Sequence, residues 1–103
     1  MLMKRIEITM GRNIPNSGTD SDSMMNEFIK SDIMPFFEYG TIIDGEGIWQ
    51  GEFEKTKIFY IEIKDDEVQD YMPKFEAIAA AYKRAFRQDA VLISTVQTHY
   101  AFT

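Results

Sequence analysis

The chain has 103 residues, 45% of them apolar and 14% aromatic, with no cysteine and a formal net charge of −6. Such a composition describes a single globular domain, residues 1–103, long enough to bury a core without staples. It excludes disulfides, thiolate zinc sites and thiol nucleophiles, and its acidity repels nucleic-acid backbones and anionic membrane surfaces, so neither is an expected partner.

The start, "MLMKRIEITM", places Lys4 and Glu7 where a signal peptide needs an unbroken apolar core. With the absence of cysteine this favours a cytoplasmic location, and no apolar run approaches a membrane span. From Lys4 to Met10 the side chains alternate, Ile6, Ile8 and Met10 against Arg5, Glu7 and Thr9, which predicts a half-buried strand. The turn-rich "GRNIPNSGTDSD" follows, with Asp20 or Ser21 as the N-cap of a helix. Met25, Phe28, Ile29 and Ile33 recur at helical spacing, and Pro35 sets the end of that helix.

Thr41 to Ile43, continuing past a glycine-rich irregularity toward Trp49, reads as a second strand, and Thr56 to Ile63 as a third, joined by a "GEFE" connection. The glycines there are expected to relieve a bulge or twist. Pro73 suits a first helical turn. Phe75, Ile78, Ala79, Tyr82 and Phe86 then form one apolar stripe, with Lys83, Arg84 and Arg87 late, where cations complement the helix dipole. Ala90 to Val96 is the last strand. The order βαββαβ predicts an α+β, ferredoxin-like fold: a four-stranded antiparallel sheet with both helices on one face.

Familiar chemistry is sparse. The single histidine, His99, has no Ser, Cys or carboxylate beside it in sequence and reads as a surface residue, and no "GxSxG" elbow is present, so no catalytic residue is nominated. "DSDS" at Asp20–Ser23 begins like a calcium loop, but Met25 stands where that loop needs glycine and Ser31 where it needs glutamate. "DDE" at Asp65–Glu67 is a solvated approach to a helix, so no metal is expected. "GEGIWQG" has the wrong spacing for a phosphate loop, and Glu46 and Glu52 would repel phosphate, so no cofactor is expected either. An RNA-recognition sheet would need stacked aromatics that the first strand lacks.

The motifs "MPFFEYG" (Pro35, Phe37, Gly40), "DGEGIW" (Asp44, Gly47, Trp49), "EKTK" (Glu54, Thr56, Lys57) and "AYKRAFRQDAVL" (Tyr82, Phe86, Gln88, Val91, Leu92), with Met10-Gly11 at the end of the first strand, form a pattern along nearly the whole chain. It resembles domain-of-unknown-function family 3574, a bacterial family of short, often exported proteins. Phe36 and Glu38 depart from that pattern, which has a basic residue and a second proline there. The resemblance implies the α+β fold and nominates positions; it implies no reaction.

The functional expectation is a non-enzymatic binding module, an acidic protein-interaction or inhibitor protein that docks on a basic partner surface and forms a homodimer. The dimer would use the helix-free sheet face through Ile58, Tyr60, Leu92 and Val96, because apolar side chains clustered among charges mark an interface. The alternative is a small-molecule-binding protein or small enzyme with a pocket near Trp49 and Gln88. There Trp49 would be a stacking wall, Arg87 and Gln88 donors, and Glu54 or Asp44 an acceptor or base.

Overall fold

In a computed structural model, which describes residues 2–12 and 22–99, the alternating segment forms strand β1 (Leu2–Gly11). Helix α1 (Asp22–Phe28) continues through a π turn (Ile29–Ile33) and a 3-10 turn (Met34–Phe36) into β2 (Thr41–Trp49) and β3 (Glu52–Lys64). A 3-10 turn (Asp65–Glu67), helix α2 (Val68–Ala85) and β4 (Leu92–His99) complete the described chain. The strands lie in the order β2-β3-β1-β4, each antiparallel to its neighbours. The fold is the α+β, ferredoxin-like arrangement that the sequence predicts.

The core follows from the period of two. Ile6, Ile8 and Met10 of β1 share one sheet face with Phe59, Ile61 and Ile63 of β3, and the register sets Ile8 between Phe59 and Ile93. Against this face pack Met25, Phe28, Ile29 and Ile33 from the first helical segment, and Phe75, Ile78, Ala79, Tyr82 and Phe86 from α2 and its cap. The rings interlock: Phe28 meets Tyr82 and Phe86 edge-on, while Phe59 stacks on Phe75.

Several local details differ from the sequence reading. The hairpin turns at Gln50 and Gly51, with φ of 52° and 80°, so β3 begins at Glu52 and "GEFE" is mostly strand. Two consecutive positive φ angles match the strand twist that two-residue hairpins need. The ladder from Thr41–Tyr60 to Trp49–Glu52 is uninterrupted, so the glycines relieve no bulge; Gly45 instead leaves room for the hydroxyl of buried Thr56 opposite it. Pro73 lies inside α2 and not in its first turn, because the acidic approach winds into helix from Val68. Pro73 and Gln69 are both exposed, so the carbonyl that loses its partner can be hydrated. The first helix and its π continuation end at Ile33, before Pro35 as expected, and the missing N–H of Pro35 is harmless near the start of the separate 3-10 turn that begins at Met34.

β4 starts two residues later than expected and runs on to His99. The delay has a clear cause. Arg87 takes a left-handed φ of 51°, and the Gln88 N–H donates to the Lys83 carbonyl at 2.9 Å, the six-to-one bond of a Schellman end. The expected N-cap at Asp20 or Ser21, and most of the turn-rich stretch before it, lie outside the described residues.

Candidate functional site

The two-residue turn at Gln50 and Gly51 fixes the register of the hairpin. It pairs Asp44 with Lys57 and Glu46 with Lys55, opposite charges directly across the ladder. The period of two puts Lys55 and Lys57 on the sheet face that also carries Phe59, and Arg12 on the face of Met10. The Arg12 N–H bonds to the Lys55 carbonyl at 3.0 Å, which carries β1's pairing one step past its end. Helix α1 approaches the same place through Asp22 and, one turn on, Asn26.

The result is a polar cleft of about 700 Å³ between α1 and the β2–β3 ladder. Its charges are sorted by depth. The Arg12 and Lys57 side chains are 7% and 16% exposed, whereas their carboxylate partners Asp22 and Asp44 are 82% and 74% exposed. Lys57 Nζ lies 2.5 Å from Asp44 Oδ1, and an Arg12 Nη2–H donates to Asp22 Oδ1. The hydrogen bond from Arg12 holds the Asp22 carboxyl below the usual carboxylate range, and the fields of Arg12, Lys55 and Lys57 add to it. Arg12 and Lys57 form the floor and their carboxylate partners the rim, with Lys55 exposed beside them.

Of the five ligand candidates named from the sequence, Asp44 lines this cleft. Glu54 is half-buried on the opposite sheet face, its carboxylate lying against Gly11 so closely that a Cβ there would sit 2.5 Å from Oε1. Trp49 is exposed at the end of β2, opposite Glu52. Arg87 and Gln88 form the end of α2, where Gln88 Nε2 donates to the Phe86 carbonyl at 3.0 Å. The structure thus sets Trp49 at the hairpin and Gln88 at the helix corner, with neither in the cleft. The sequence reading does not find Arg12, Asp22 and Lys55, although a turn placed at Gln50-Gly51 pairs Lys55 and Lys57 with Glu46 and Asp44.

The residues named for an interface, Ile58, Tyr60, Leu92 and Val96, lie on the sheet face opposite the core. Ile58, Thr9 and Leu92 form one row across β3, β1 and β4. Tyr60 is covered by the Arg5 guanidinium, 4.1 Å above its ring, and Arg5 pairs with Glu62 through Nε at 2.6 Å and Nη2 at 2.5 Å. The bond to Glu62 raises the Arg5 pKa above its ordinary value, against a smaller opposing effect of burial. Among the described residues no group of His, Cys, Asp and Glu is placed to hold a metal ion, and no helix is long and apolar enough to cross a membrane.

Comparison with known proteins adds a family and a fold likeness. The model of the family described as "Protein of unknown function (DUF3574)" matches residues 5–102. The chain belongs to this family. No curated protein matches it. Among solved structures, a phage SAM lyase in complex with S-methyl-5′-thioadenosine is similar in fold, with a TM-score of 0.65 and 15% identity over 91% of this chain and 80% of that one. A phage SAM lyase in the apo state gives a TM-score of 0.58 and 18% identity over 93% and 79%.

This likeness overturns the expectation of a non-enzymatic, acidic inhibitor-type module. That expectation rested on the lack of a recognisable nucleophile, metal set or cofactor loop. A fold that a lyase also uses shows that such a lack does not separate binding modules from enzymes.

Proposed function

We propose that the protein is a small-molecule enzyme of the SAM-lyase kind, taking its ligand in the polar cleft between α1 and the β2–β3 ladder. The observation that carries this reading is the cleft itself: Arg12 and Lys57 at its floor and Asp22 and Asp44 at its rim. SAM carries a carboxylate beside ammonium and sulfonium centres, and a site with both signs of charge in one cavity suits such a molecule. An acidic surface also favours the approach of a net cation. The likeness to a SAM lyase over nine-tenths of the chain supports the same ligand class.

The test is direct. Calorimetric titration with SAM, followed by mass-spectrometric assay for S-methyl-5′-thioadenosine, should show saturable binding and product, both reduced in Lys57→Ala. Absence of binding and of product overturns the reading.

A second copy of the chain on the helix-free sheet face belongs to the proposal too, supported by the exposed Leu92 and Val96 there. So does a cytoplasmic setting, supported by the absence of cysteine.

A further inference from the structure

We infer that the position now held by the Asp22 carboxylate is the seat for an anionic group of the ligand, a carboxylate or a phosphate, which displaces Asp22 from Arg12. This deepens the function proposed for the cleft and rests on it only for the identity of the whole ligand.

Depth is the first reason. The Arg12 side chain is more than nine-tenths buried and charged at any physiological pH, so an anion beside it is favoured. Asp22 lies almost wholly in water and forfeits little when it swings away. A buried cation with an exposed carboxylate exchanges its anion cheaply; with the burial reversed, it would not.

The cations also converge. Lys55 and Lys57 act on Asp22 as well as Arg12, so the field of three cations meets at one point of the cleft. Lys57 repeats the asymmetry with Asp44, which gives the floor a second exchangeable carboxylate. Glu46, across from Lys55, and the displaced Asp22 would then face the cationic part of the ligand. A guanidinium presents a planar fork that suits either carboxylate or phosphate.

Asp22→Asn removes the internal competitor without removing a floor cation, and Asp22 is exposed, so the variant should fold. Acetate and inorganic phosphate are the probes, followed by amide and arginine side-chain NMR shifts in the wild type and in Asp22→Asn. Both proteins should show shifts centred on Arg12, Lys55 and Lys57, with the better anion binding roughly tenfold more tightly to Asp22→Asn, the scale of one charge-assisted hydrogen bond. Preference for acetate assigns a carboxylate-bearing ligand, and preference for phosphate assigns a phosphate ester. Unchanged or weaker anion binding in Asp22→Asn, or shifts located elsewhere, overturns the inference. If anions bind as expected but SAM does not, the inference stands and the proposed function falls. If SAM binds equally to both proteins and the anions have no effect, the inference falls and the proposed function stands.

Discussion

Tyr82 donates its hydroxyl to the backbone carbonyl of Gly11, tying the last turns of α2 to the end of β1. The ring is buried, stacked on Phe86 and edge-on to Phe28, while the hydroxyl reaches across the core to the strand that leads into Arg12. Tyr82→Phe keeps the packing and orphans a partly buried carbonyl, so it should cost about 1–2 kcal/mol in urea denaturation. Tyr82→Ala, which also opens a cavity, should cost about 3–5 kcal/mol. Equal losses for the two variants would show that the hydroxyl contributes most of the effect and the ring little.

Gly40 makes the approach to β2 possible. A Cβ at that position would overlap Cε1 of Phe59, whose ring is held between Phe37, 5.0 Å away, and Phe75, 5.7 Å away. The ring has no room to retreat, so Gly40→Ala should destabilise by about 1–3 kcal/mol. Gly11→Ala meets the end of the Glu54 side chain, which is flexible, and should cost less. Thermal melts of the two variants compare them directly, and the reverse order would refute the packing account.

The fold was legible because the core obeys two simple periods. Ile6, Ile8 and Met10 announce a strand, and Phe75, Ile78, Ala79 and Tyr82 a helix face, and tertiary packing keeps both patterns. Turn chemistry was harder to read. Besides Gly51, the left-handed residues of the hairpin and of the helix end are Gln50 and Arg87, and neither of those residue types advertises that conformation. A turn placed at "GEFE" hides the pairing of Lys55 and Lys57 with Glu46 and Asp44. The cleft was less legible still, because Arg12 and Asp22 meet only when α1 folds over the sheet. The separation of Trp49 from Gln88 could not be read for the same reason. Sequence proximity to a motif says nothing about the side of the sheet on which a residue ends.

The helix-free sheet face supplies a prediction about assembly. Leu92 and Val96 are 61% and 46% exposed on it, four residues apart on β4, with the half-buried Ile58 two strands away across Thr9. Light scattering at high micromolar concentration should give the mass of a dimer for the wild type. Leu92→Glu should give a monomer with an unchanged melting profile, because an exposed leucine contributes little to the fold. A strictly monomeric wild type would remove the interface from the proposal.

The pH dependence of stability tests the pairing in the cleft from a different side. The bond from Arg12 depresses the folded-state pKa of Asp22, helped by the fields of Arg12, Lys55 and Lys57. A depressed carboxylate pKa contributes stability that is fully present above the unfolded value, near 3.9. That contribution is lost as pH falls through the lower, folded value. The side chain is exposed, so the contribution is small and reduced further by salt. The difference in melting temperature between the wild type and Asp22→Asn should therefore be constant from neutral pH down to the ordinary carboxylate range. Below that range it should shrink toward zero as Asp22 takes up its proton and both proteins present a neutral group to Arg12. At low ionic strength the effect should be larger than at high. A difference that grows as the solution is acidified would mean that Asp22 is ionised more easily in the unfolded chain, contrary to its position beside the buried guanidinium.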